Sequence, residues 1–186
     1  IGQFNLIAED GVFQQPQVNA NSLLTIAKNN LQTVTYPRPP EFHGTTFLKQ
    51  LLVDLTNADS RLYLSVTAPA QEQLLPVLWQ YLDQLHPYLW QQGKAFPSSA
   101  AEQLLLYQQS AVSMAVSFNP NQWLKEKSTQ QISETSDRRY FTDGAITNSH
   151  ILAIPKSAPI PESAKVVINM MLSEKAQKTQ LNGIGG

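Results

Sequence analysis

Three stretches of the sequence set small polar side chains at a break in the local pattern, and these are the places where a ligand could be held. The first is Pro37-Arg38-Pro39-Pro40-Glu41-Phe42-His43-Gly44-Thr45-Thr46-Phe47. It ends a β-branched run and starts a helix, so unpaired backbone N–H groups and the hydroxyls of Thr45 and Thr46 gather with Gly44 at a positive helix end. Such a place suits an anion or a polar head group, and an ordinary helix cap uses the same residue types. The second is Ser117-Phe118-Asn119-Pro120-Asn121, which closes an apolar run before a helix. Ligands of open α/β sheets collect outside such strand ends, while Asn119 and Asn121 serve equally as turn and cap residues. The third, Thr147-Asn148-Ser149-His150, precedes an apolar run. It could line the same crevice or mark a hinge, and loop polarity accounts for it as well.

Other chemistry has less to stand on. His43, His86 and His150 are more than forty residues apart with no i, i+4 pair, which argues against a zinc site. There is no Gly-x-Ser-x-Gly elbow, no Gly-x-x-x-x-Gly-Lys phosphate loop and no Gly-x-Gly-x-x-Gly fingerprint. Carboxylates such as Glu41, Asp54, Asp83 and Glu102 show no pairing that suggests acid/base work. Cysteine is absent, which removes disulfides, thiol catalysis and thiolate metal sites. The expectation is a protein that is not an enzyme and needs no cofactor. Formal net charge is −1, with 13 basic residues scattered along the chain, so the footprint of a nucleic-acid binder is missing. Trp79, Tyr81, His86, Tyr88 and Trp90 could pass for a stacking platform, but their helical spacing favours core packing.

The elements that must position these residues follow from periodicity. Phe4, Leu6 and Ile7 before Glu9-Asp10-Gly11 read as a strand and turn. Asn21 caps a short amphipathic helix through Lys28, and Thr33-Val34-Thr35-Tyr36 reads as a strand cut by Pro37. Helices are expected from about Gly44 to Asn57 and from about Glu72 to Gln92, the latter striped by Leu74, Leu78, Leu82, Leu85 and Leu89 and stopped by Gly93. Another begins at Pro97-Ser98; a buried strand covers Ala111 to Phe118; a short helix follows Asn119-Pro120. Ser128 to Asp137 reads as a loop, Arg139-Tyr140-Phe141 and His150 to Ile154 as strands, and Pro161 to Leu172 as a last helix. With 186 residues, 42% of them hydrophobic, the chain can bury a core of its own. Its longest apolar runs fall far short of the roughly 20 residues that span a bilayer. The alternation predicts a layered α/β domain with a mostly parallel sheet flanked by helices.

Taken together, the segments resemble the periplasmic solute-binding proteins of ABC importers, most closely a YnjB-like branch. The resemblance rests on Thr35 to Pro40 with Phe42, Gly44 and Phe47, on Tyr81 to Trp90 with Gly93, Lys94 and Pro97, and on Ser117-Phe118-Asn119-Pro120. It continues in Asn148-Ser149-His150 with Ala153-Ile154-Pro155, and in Leu172-Ser173-Glu174-Lys175-Ala176-Gln177. It implies a lobe of the type 2 periplasmic-binding-protein fold spanning residues 1–186, with a crossover strand at 1–10 and a return strand or hinge at 145–155. The implied partners are a small polar solute, the membrane permease and a first lobe, with the chain a monomer in the periplasm. Contacts to solute would come from Gly44, Thr45, Thr46, Ser117, Asn119, Asn121, Thr147 and Asn148. The opening Ile1-Gly2 and the closing Gly183-Ile184-Gly185-Gly186 imply a truncated piece, its export signal outside the sequence. The alternatives are the effector domain of a transcription regulator, for which no DNA-binding segment is visible, and a small α/β enzyme.

Overall fold

The computed structural model describes residues 2–149 and 151–182. Ile1, His150 and residues 183–186, on which parts of the opening strand, the third polar stretch and the glycine-rich ending fall, lie outside the described residues.

The chain opens with two short strands, β1 (Gly2–Gln3) and β2 (Asn5–Glu9), followed by β3 (Gln17–Val18) and helix α1 (Ala20–Asn29). The cap of α1 is Asn19, not Asn21. The Asn19 side chain accepts from the Ser22 amide and the Ser22 hydroxyl accepts from the Asn19 amide, each at 2.8 Å, which satisfies two orphan donors at once. Helix α2 (Phe42–Leu55) and helix α3 (Ala68–Leu85) follow. Leu74, Leu78, Leu82 and Leu85 of α3 are buried, and the apolar stripe runs on to buried Leu89 beyond the helix end. Pro87 replaces the last expected turns by two short 3-10 segments. Gly93 takes a φ of +66° against the His86 backbone, a conformation and an approach that a side chain would disturb. Tyr81 is in the core as expected, whereas Trp79 is half exposed.

Helix α4 (Ala100–Gln108), strand β4 (Met114–Ser117), helix α5 (Gln122–Ser128), strand β5 (Ser136–Phe141) and strand β6 (Thr147–Asn148) complete the body. Helices α6 (Pro161–Leu172) and α7 (Glu174–Asn182) form a tail. About 49% of the chain is helical and about 12% is strand, a mixed α/β composition.

The sheet order is β3-β5-β2-β4, with β2 antiparallel to both β4 and β5 and only β3 parallel to its neighbour β5. The mostly parallel sheet expected from the alternation is therefore corrected. The expected strand Thr33-Val34-Thr35-Tyr36, buried from Val34 on, joins no ladder. Its carbonyls are taken one by one: Thr33 by the Ser113 amide at 2.6 Å, Val34 by the Trp90 amide at 2.8 Å, and Thr35 by Gln103 Nε2 at 2.7 Å. The same Gln103 amide donates to Met114 O and accepts from Val116 N, both at 3.2 Å. One fully buried side chain thus bridges the segment and β4 in place of backbone rungs. Residues 151–154 form no strand either; Ile151 and Leu152 are exposed and Pro155 follows them.

Alternation along β2 explains the layers. Leu6 and Ala8 face a core with Phe13, Leu23, Phe47 and Leu51, covered by α1, α2 and α3. Ile7 faces the other way, onto Tyr107, Val112, Ala115 and Ile132 under α4. Arg139, buried on β5, is satisfied by Phe13 O through Nε and Nη2 (2.9 and 2.6 Å) and by Asp10 at 2.5 Å. No helix among the described residues is long and apolar enough to cross a membrane.

Candidate functional site

Phe118 ties the three polar stretches to one end of the sheet. Its carbonyl accepts from the Gln3 amide of β1 at 3.0 Å, and its ring lies 4.8 Å from Phe42, 5.7 Å from His43 and 5.4 Å from Phe4. Gly2 pairs with Asn148 and Gln3 with Thr147, both antiparallel, so β1 and β6 run side by side past this point. Gly2 is pressed against Asn148 Oδ1 and Phe118, with no room for a β-carbon. The ends of α2 and β4 and the β1–β6 pair therefore meet at one place.

The positive end of α2 is already occupied. Glu41 caps the helix, one carboxylate oxygen accepting from the Gly44 amide at 2.8 Å and the other meeting His43 Nδ1 at 2.8 Å. Burial alone would raise the Glu41 pKa; the hydrogen bonds from the Gly44 amide and from His43 outweigh it and hold the carboxyl below its usual range. Gly44 itself lies against the Pro37 backbone, closer than any side chain allows, and Thr46 is buried with its hydroxyl donating to Phe42 O at 2.8 Å. Thr45 is partly buried and its amide donates to Glu41 O. These three residues position the helix end; the side chains presented there belong to Glu41, Phe42 and His43.

The polar groups after β4 are engaged with one another. Ser117 Oγ donates to Gln122 Oε1 at 2.6 Å and accepts from the Asn119 amide at 3.0 Å, and Asn119 Oδ1 accepts from the Asn121 amide at 2.9 Å. Helix α5 spans only seven residues, and the turn before it is closed by these bonds.

At β6 the two predicted residues part company. Asn148 Oδ1 is buried beside Gly2 and Phe118 with no hydrogen-bond partner. Thr147 instead lines a recess of about 320 Å³ with Gln50, Val53, Tyr63, Asp143 and Gly144. There the buried Gln50 amide donates to Gly144 O at 2.9 Å and accepts from Ile146 N at 2.8 Å, fixing the approach to β6. One turn further along α2, Asp54 accepts from the Ala20 amide at 2.6 Å. Burial raises the Asp54 pKa, the Ala20 amide holds it down, and the adjacent Asp143 carboxyl raises it again; the net direction is up.

Sequence reasoning missed the aromatic continuity. From Phe96 against Tyr36 (5.0 Å) the rings run through Phe47 (4.8 Å), Phe4 (6.5 Å) and Phe118 to Phe42 at the surface. These residues come from four segments far apart in sequence, so no local spacing announces them. Below the surface, the Tyr36 hydroxyl meets His86 Nε2 at 2.8 Å; burial pushes Tyr36 up and His86 down. No cluster of three or more His, Asp or Glu among the described residues could hold a metal ion.

No protein-family model matches the chain. The chain is 40% identical over 183 residues to Protein YnjB of Escherichia coli (strain K12), a match that covers 94% of this chain and 45% of that relative. The likeness supports a YnjB-like family, and the chain spans a little under half of the relative's length.

Proposed function

We propose that this chain is one lobe of a two-lobed, YnjB-like solute-binding protein that works outside the cytoplasm with an ABC importer. It closes on a small polar solute and presents it to the membrane permease, breaking no bond in the solute. The observation that carries this reading is the β1–β6 pair. The body between Gln3 and Thr147 is entered and left through two adjacent antiparallel strands, an arrangement that suits a hinge between two lobes. Two further facts support it. The relative is roughly twice as long, which leaves length for a second lobe. The tail also exposes Val166, Val167, Met170 and Leu172, an apolar surface that a lobe–lobe contact would cover.

The mechanism follows from what the strands hold. The Gln3 amide on the Phe118 carbonyl, and the Phe4 amide on the Ile146 carbonyl at 2.9 Å, fix the site residues to the crossover. A solute bridging both lobes would stabilise the closed form by contacts that form only there, which is all that a population shift needs. The test is thermal unfolding of this chain, and of the chain extended to the relative's length, against anions, amines, sugars and metal ions. A solute at a hundred times its dissociation constant adds about 2.7 kcal/mol to the state it binds. A midpoint rise in the extended protein, greater than in this chain, is expected; a flat panel in both overturns the receptor reading.

A further inference from the structure

Three observations at the crossover bear on what kind of solute fits. First, Phe42, His43 and Phe118 form a shelf of three rings, with Phe42 and His43 edge to face at 5.3 Å, His43 and Phe118 edge to face at 5.7 Å, and Phe42 and Phe118 tilted at 4.8 Å. Phe42 is 53% exposed although it sits on the first turn of a helix whose Phe47 and Leu51 are fully buried. Second, the helix end that would attract an anion already carries the Glu41 carboxylate on the Gly44 amide, so an incoming anion would meet a negative charge. Third, Asn148 Oδ1, a buried polar atom beside Phe118 that lacks a partner, is an acceptor. An exposed phenyl ring at the edge of a ring cluster, a fixed carboxylate and an unmatched acceptor suit a ligand that is positively charged, carries donors or polarised C–H groups, and presents a flat or methylated surface.

Building on the receptor reading above, we propose that Phe42, His43 and Phe118, with Glu41 beside them, form this lobe's recognition surface for an organic cation of the quaternary ammonium or cationic heteroaromatic type. The ring faces attract the cation through their quadrupoles, and Glu41 supplies the counter-charge. Glu41 is held ionised by the Gly44 amide and His43, so that counter-charge persists through neutral pH.

The experiment is an NMR titration of the chain with benzyltrimethylammonium chloride, with benzyl alcohol and sodium benzoate as neutral and anionic counterparts of the same ring. The cation should perturb the amide signals of residues 41–44 and 118 and bind about tenfold more tightly than benzyl alcohol, the size of one cation–π contact. Phe42→Leu keeps an apolar side chain at an exposed position and should abolish the preference for the cation. Glu41→Gln should weaken cation binding several-fold while leaving benzyl alcohol unchanged. Equal binding of the cation and benzyl alcohol would overturn the proposal, as would tightest binding of benzoate or no perturbation by any probe. If another solute class then raises the midpoint of the extended protein, the receptor reading survives and only the cation assignment falls. A flat melting panel with cation binding intact would instead sink the receptor and leave the shelf.

Discussion

Helices α3 and α6 carry the same kind of apolar pattern and meet opposite fates. In α3, Leu74, Leu78, Leu82 and Leu85 are buried against the sheet and its neighbouring helices. In α6, Val166, Val167, Met170 and Leu172 are exposed, and no residue of the helix is buried. Amphipathic periodicity states that a face wants a partner; it does not state whether the same chain supplies one. The body is a packed core sealed by its own helices, and the tail is a helical pair whose apolar side looks outward.

That contrast can be broken by measurement. The largest effect belongs to Leu85→Ala, which should cost about 3 kcal/mol in chemical denaturation because it empties a fully buried position. Met170→Ala in the tail should change the same quantity by less than about 0.5 kcal/mol. Equal losses at both positions would mean that the tail is packed in solution. Next comes Gln103→Leu, which keeps bulk but strands Thr35 O, Met114 O and Val116 N; a loss of about 2 kcal/mol is expected. A neutral result would show that the 33–36 segment re-pairs directly with β4. Glu41→Gln removes a charged cap and should cost about 0.5–1 kcal/mol, read as a lower unfolding midpoint.

The smallest effect is a slope. Asp54 keeps its proton to higher pH in the folded chain than in the unfolded one, so the folded state binds the extra proton in the window above the ordinary aspartate value of 3.8. Its contribution is present below that value and is lost as pH rises through the raised pKa. Asp54→Asn should flatten this fall in a series of unfolding midpoints from pH 4 to 7. An unchanged slope would show that folding does not raise the Asp54 pKa.

What was legible in the sequence was local. The leucine stripe of α3 and the start of α6 at Pro161 follow from spacing and backbone preference, which neighbours along the chain determine, whereas α3 ends at Leu85, ahead of Pro87, and not at Gly93. The strand expected at Thr33 to Tyr36 was misread because the segment has β-branched composition yet gives the carbonyls of Thr33, Val34 and Thr35 to Ser113, Trp90 and Gln103, all distant in sequence. The polar segments that meet at one end of the sheet were legible, but not which side chains they present there. Gly44 and Thr46 shape the helix end from within, whereas the groups presented are Glu41, Phe42 and His43 from the preceding turn and Phe118 from across the sheet. A cap formed by a carboxylate and a ring shelf assembled from two segments both depend on tertiary placement.

The two buried glutamines bear on how distant relatives of this protein are to be recognised. Gln50 and Gln103 each donate and accept at once, Gln50 to Gly144 and Ile146, Gln103 to Thr35, Met114 and Val116. Glutamate lacks the donor, asparagine is a methylene too short, and an aliphatic side chain offers neither function. A search that weighs glutamine as an interchangeable surface residue would discard the two positions whose identity hydrogen-bond arithmetic constrains most tightly. A homologous chain carrying another residue at either place leaves these backbone groups in need of other partners, so the two amides are a sharper mark of this fold than the leucines beside them.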